Sequence, residues 1–319
     1  MIKVLMICTA NICIDITIPK IYNALQVQAP VFRFTKATDV TGAVIKFNYF
    51  IVKIDVYHDF TSFYGERLLN MNGDTVTLSE IQDGFLALGV KRGMMLEVHC
   101  SLSSFGYVEG GAQTVITALQ STVGNDGAIV MPSFLNSRDF PLSDEDRALG
   151  LTLKVRNLHE NSERSGMGIV SDTFRQMPSV ITGEGHYRVS AWGKDAEQHA
   201  ASGFQKIIDE GGAALLIGVD IYRMSSMHYV EGCMPQSIRD KFKPSEAARA
   251  KYPEDEWFIE AWSPEAKPWY TIQKLAYEHG YIVDRMIGQS KCMLCQVKPV
   301  VQLYECALRT QPFKLYGLE

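Results

Sequence analysis

Val98-His-Cys-Ser-Leu-Ser-Ser-Phe-Gly-Tyr-Val-Glu-Gly-Gly111 is the stretch on which the fold turns. It begins inside an apolar run, Met94–Cys100 (MMLEVHC), that reads as a buried strand. Three hydroxyls follow, Ser101, Ser103 and Ser104, and then a glycine pair ahead of Ala112–Leu119, whose apolar spacing is helical. Strand, loop and helix in that order make one α/β unit, and loops at strand C-terminal ends are where such proteins hold ligands. Free N–H groups at a helix start, beside serine hydroxyls, suit the phosphates of a cofactor. An N-capped turn with ordinary serines is the plainer reading. The stretch fits neither G-x-x-x-x-G-K-[ST] nor G-x-G-x-x-G, which leaves ATP and NAD unsupported.

The same grammar extends outward. Thr77-Leu-Ser-Glu80 is a capping box, with Ile81, Phe85 and Leu88 at helical spacing behind it and Gly89 where the helix should stop. Ala128–Pro132 (AIVMP) and Ala213–Val219 (AALLIGV) read as two more short buried strands. The alternation predicts an α/β architecture. Residues 1–70 differ: seven Lys/Arg against five acids give a net +2, leaving −7 for 71–319, and only two of the 25 glycines fall there. Two readings stand for 1–70, a small β-rich domain or translated upstream sequence with Met71 as the natural start. The second is preferred, because clean alternation and turn punctuation are lacking.

Composition excludes several classes. A net charge of −5 argues against nucleic-acid binding, which normally needs a basic face. The apolar run from Val4 to Ile14 is broken by Thr9 and Asn11 and is too short for a membrane span, and no convincing cleavage site follows it. Seven scattered cysteines read as reduced thiols of a cytoplasmic protein. Cys292-x-x-Cys295 lacks a second ligand pair for zinc, so both are expected to be packing cysteines and no metal is expected.

Read on to HCSLSSFGYVEGGAQTVITAL and NDGAIVMPSF, the chain resembles the aminoglycoside 3-N-acetyltransferase family. That family carries a His-Ser-Ser-Leu-Ser-Ser-x-Gly loop, a Gly-Gly-x-x-x-Val-Ile helix start and a Met-Pro-Ser/Thr strand end. Further matches follow in order: Arg164-Ser-Gly-Met-Gly-Ile169, Ala191-Trp-Gly-Lys194, Leu215-Leu-Ile-Gly-Val219 and Ser225-Ser-Met-His-Tyr-Val-Glu231. The resemblance covers nearly all of 71–319 and implies an antibiotic N-acetyltransferase-like fold there, a mixed sheet flanked by helices, behind a non-homologous extension at 1–70.

It also implies a chemistry: transfer of acetyl from acetyl-CoA to the 3-amino group of a 2-deoxystreptamine aminoglycoside. Ser101, Leu102, Ser103, Ser104 and Phe105 would border the CoA chain, with Gly166, Met167 and Gly168 as a second close-approach segment. His186 is the expected base, Glu231 its orienting carboxylate and His99 the next catalytic candidate. His228, Glu254, Asp255 and Trp269 are expected near the substrate, with Trp257 and Trp262 helping to wall the cleft. The family's usual His-Pro is replaced by Gly185-His186-Tyr187, and a two-residue deletion is needed to bring His186 to its place. A different amine acceptor, or a CoA-binding relative without turnover, are the competing readings. The expected partner is a small-molecule aminoglycoside or other polyamine, with no nucleic acid or membrane, and the protein is a monomer or homodimer.

Overall fold

The computed structural model describes residues 75–159, 164–264 and 268–319, together with four short strands upstream. The chain divides into two compact units, Met1–Asn72 and Gly73–Glu319. In the first, Cys8–Thr9 pairs antiparallel with Ile12–Cys13, and Ala43–Phe47 with Phe50–Ile54. The rest of the expectation for 1–70 lies outside the described residues.

The second unit is built on a seven-stranded sheet. Its strands are β1 (Met95–Cys100), β2 (Ala128–Pro132), β3 (Ile181–Thr182), β4 (Val189–Gly193), β5 (Ala213–Ile217), β6 (Ile282–Ile287) and β7 (Ser290–Gln296). The order is β3-β4-β2-β1-β5-β7-β6. The central trio β2-β1-β5 is parallel, and an antiparallel pair closes each side. Parallel strands are buried on both faces and so read as continuous apolar runs; AIVMP and AALLI do that.

Alternation then sends side chains to two cores. Leu96, Val98, Ile129, Met131, Leu215 and Ile217 face α1 (Leu78–Leu88), α2 (Gly111–Val123) and α3 (Ile169–Arg175). Val130, Ala214, Leu216, Met293 and Cys295 face the other layer, whose main helix is α4 (Val297–Thr310). α1 starts as its sequence predicts: the Thr77 N–H donates to Glu80 Oε2 at 2.8 Å, Ile81, Phe85 and Leu88 are buried, and Gly89 closes it at φ 111°. Cys292 and Cys295 stand on opposite faces of β7, one in each core, and burial pushes their thiols up to about 11 and about 12. Both pack as hydrophobes.

A small satellite stands beside the sheet. Leu153–Arg156 pairs antiparallel with Trp257–Glu260 over a cluster of Leu151, Ala248, Tyr252 and Ile259. The buried Asp146 carboxylate anchors it, meeting Lys154 Nζ at 2.5 Å and the Tyr252 hydroxyl. This satellite fixes where Glu260 sits.

Candidate functional site

The serine loop leaves the end of β1 as a short 3-10 turn, Leu102–Phe105. Its underside is anchored. The Ser101 N–H donates to Ile217 O at 2.9 Å, the Ser104 hydroxyl donates to Ser101 O at 2.6 Å and meets the Ser290 hydroxyl at 2.7 Å, and Phe105 is fully buried in the core. Ser104 and Phe105 are therefore footing, whereas Ser101 and Leu102 are half-buried and Ser103 is exposed. Gly218 lies against the footing at φ +63°, and a Cβ there would fall 1.9 Å from Ser104 Oγ.

Gly166–Gly168 comes alongside. Gly168 is at φ +96°, with a Cβ position 3.6 Å from Cys100 O; a Cβ on Gly166 would fall 2.3 Å from Ser137 O. The Gly166 N–H donates to Asn136 O at 2.6 Å, and the Asn136 side-chain oxygen meets His186 Nε2 at 2.5 Å. Serine loop, glycine segment and His186 thus form one contiguous run, joined at Cys100 and Asn136. His186 is half-buried, and desolvation holds its pKa below the ordinary histidine value. That shift favours the neutral form, which a base requires.

Two histidine–carboxylate pairs stand elsewhere. Glu231 Oε2 meets His228 Nδ1 at 2.9 Å, and Glu231 Oε1 accepts from the Tyr304 hydroxyl at 3.3 Å. The carboxylate expected to orient His186 is therefore engaged by its neighbour three residues away, and the side chain hydrogen-bonded to His186 is Asn136. Burial works against a charged His228, but Glu231, Glu97 and Glu260 outweigh it and raise its pKa. Glu260 sits in the field of Glu231 and Tyr187; burial first, then Glu231, pushes its pKa up to about 7. The second pair is His99 Nε2 with Glu97 Oε1 at 2.8 Å, both buried.

The remaining candidates scatter. Glu254 and Asp255 are exposed, and their backbone carbonyls accept from Asn157 Nδ2 at 3.0 and 3.2 Å. Trp257 packs edge-on to Tyr252 and Phe140 in the satellite, Trp262 packs on Phe242, and Trp269 packs onto the larger core. Trp257 thus serves the satellite, and Trp262 and Trp269 the larger core. Sequence reasoning missed Asn136, Glu97 and Glu260. Glu97 carried a signal, an acid inside the strand-like run MMLEVHC and two residues from His99, where side chains share a face. Among the described residues no group of three or more His, Cys, Asp and Glu is arranged to hold a metal ion.

The sequence profile described as aminoglycoside 3-N-acetyltransferase matches residues 98–309. The chain belongs to the aminoglycoside 3-N-acetyltransferase family. Within that family, the SPbeta prophage-derived aminoglycoside N(3')-acetyltransferase-like protein YokD of Bacillus subtilis is 31% identical over 193 residues, 53% of this chain and 70% of YokD. Aminoglycoside N(3)-acetyltransferase III of Salmonella sp is 30% identical over 181 residues, 49% of this chain and 60% of that enzyme's length. Crystal structures share the fold at lower identity. A His→Ala variant of acetyltransferase AAC(3)-IVa in complex with apramycin superposes with a TM-score of 0.55 at 20% identity, covering 75% of this chain and 94% of that one. AAC-IIIb in binary complex with CoASH superposes at 0.53 and 17% identity, covering 77% and 99%. Members of the family are acetyltransferases, and the α/β mixed sheet expected for 71–319 is the fold found.

Proposed function

We propose that this acetyltransferase moves the acetyl group of acetyl-CoA directly onto the 3-amino group of a 2-deoxystreptamine aminoglycoside, conferring resistance in the cytoplasm. The observation that carries the reading is the contiguity of the serine loop, Gly166–Gly168 and His186. The residues fit the co-substrate: Ser101, Leu102 and Ser103 face outward on a firmly seated turn, and Gly168 leaves room where a side chain would stand. Bound acetyl-CoA supplies an activated thioester.

This chain's own groups do the rest. An ammonium group cannot attack until it loses a proton, and His186 accepts that proton while Asn136 holds its Nε2 side. Charge developing on the acetyl oxygen needs fixed N–H donors, which the first turn of a helical loop leaves free. No protein nucleophile is required. Cys100, inside the loop, is a poor one because burial pushes its thiol far above the ordinary range. Glu231 and Glu260 supply negative charge for the acceptor's other ammonium groups, with His228 held on Glu231. Glu254, Asp255 and Trp269 remain outer contacts on this reading.

Free-thiol release from acetyl-CoA with gentamicin, kanamycin and neomycin tests the proposal. Turnover on these drugs that is lost in His186→Ala supports it; acetylation of simple polyamines alone redirects it to another acceptor. Heat stabilisation by CoA with no turnover on any amine overturns it. The same assay on a chain beginning at Met71 tests whether 1–70 is dispensable.

A further inference from the structure

Glu97 is the one acid on β1, and it is fully buried. Its neighbours in register are Val130 on β2 and Ala214 on β5, both fully buried in an apolar core. A desolvated carboxylate in such a place is unfavourable unless it is paired. Its Oε1 accepts from the Ser226 N–H at 3.1 Å and meets His99 Nε2 at 2.8 Å. Its Oε2 and the Ser226 hydroxyl are buried without hydrogen-bond partners, so His99 is the side chain that compensates Glu97.

The ring's geometry follows from this. His99 Nε2 also lies 3.4 Å from the Ser225 N–H, and one nitrogen cannot donate to Glu97 while accepting from Ser225. The contact to the carboxylate is much the shorter, which puts the proton on Nε2 and leaves Nδ1 as the proton-accepting atom. The ring keeps 7% of its surface accessible, and Ser101 follows two residues later.

We propose that Glu97 is a positioning residue for acetyl transfer: it locks His99, on the strand end from which the serine loop departs, with Nε2 protonated and Nδ1 left to accept a proton. Through the Ser226 N–H it also ties β1 to Ser225–Cys233, the segment that carries His228 and Glu231. The kinetic side rests on the reading of that loop as the acetyl-CoA site; the tautomer does not.

The test uses the full chain and three substitutions, two at Glu97 and one at His99. Glu97→Leu removes the carboxylate and leaves the buried His99 ring and the Ser226 N–H without their partner, a one-sided break that costs stability. Expected are a lower melting temperature, a KM for acetyl-CoA within about twofold, and kcat lower by roughly 10- to 100-fold, less than the loss of a base. Glu97→Gln should lower kcat likewise, and neither substitution should add to the loss caused by His99→Asn. Nitrogen-15 NMR of histidine-labelled wild type should show His99 Nε2 protonated, and the preference should relax in Glu97→Gln. Full kcat in both variants, additive losses on the His99→Asn background, or a bare Nε2 would overturn the proposal. If the wild type turns over no amine, the reading of function fails, and the NMR result still decides the role of Glu97.

Discussion

Gly218 and Ser104 touch so closely that a methyl group on the glycine would overlap the serine hydroxyl, at 1.9 Å. Gly218 also sits at φ +63°, where a side chain adds strain of about 1–3 kcal/mol. Ser104 in turn holds the turn above it through Ser101 O and Ser290. Gly218→Ala should therefore push the serine loop from its seat. We expect KM for acetyl-CoA to rise by roughly tenfold or more, the equivalent of ~1.4 kcal/mol. A KM unchanged in steady-state kinetics would mean that the loop does not meet the cofactor.

His186 and Asn136 should separate in their effects. His186→Ala removes the base, and kcat should fall about 10²- to 10⁴-fold. Asn136→Ala leaves the imidazole but frees its orientation, so a smaller fall is expected, with CoA-induced heat stabilisation retained in both. Glu231→Gln should act on the acceptor's KM and hardly on kcat, because Glu231 pairs with His228. A kcat loss for Glu231→Gln as large as that for His186→Ala would reverse the assignment.

Glu260 predicts a pH dependence of substrate binding. Its folded-state pKa is raised to about 7, above the ordinary carboxylate value, so it gains charge only as pH rises through neutrality. The KM for a polycationic acceptor should fall between pH 6 and 8, and Glu260→Gln should flatten that trend. The stability trend has the opposite sign. The folded state holds this proton more tightly than the unfolded chain does, so the group's contribution is full below about 4.5 and lost as pH rises through 7. At pH 8 Glu260→Gln should stabilise the protein by on the order of 2 kcal/mol in urea unfolding.

His199 predicts the acid limb. It is fully buried with neither ring nitrogen hydrogen-bonded, and burial, with Lys206 nearby, lowers its pKa. The unfolded chain takes up the proton first, near its ordinary ~6.5, so stability is lost as pH falls below that value. His199→Leu removes two unsatisfied polar atoms and the titration together. It should add roughly 1–3 kcal/mol at pH 5.5 and less at pH 7.5. Equal gains at both pH values would show that the proton is not involved.

What could be read from the sequence was local. Thr77, Glu80 and Gly89 declare one helix within thirteen residues, and apolar runs as pure as AIVMP declare strands buried on both faces. The His228–Glu231 pair lies three residues apart, within reach of sequence reasoning, whereas the hydrogen-bond partner of His186 is not. Which side chain faces His186 depends on Asn136, 50 residues away across a loop crossing that no periodicity encodes. The three tryptophans near 260 show the same limit, since nearness in sequence did not reveal that Trp257 belongs to the satellite and Trp262 to the larger core. Glu260 was invisible because its raised pKa comes from burial and from Glu231, both products of the fold.

The strand order also bears on how the polypeptide emerges from the ribosome. β5 pairs with β1 on one edge and β7 on the other. Until Ile282–Gln296 has been synthesised, the AALLI edge is bare, a template for pairing with neighbouring nascent chains. The same late hairpin brings Ser290, which meets Ser104, and Lys291, whose carbonyl accepts from the Gly218 N–H at 2.9 Å. Premature termination upstream of it should yield sticky half-sheets for proteases and chaperones, with no footing for the serine loop, and not a shorter enzyme of reduced activity.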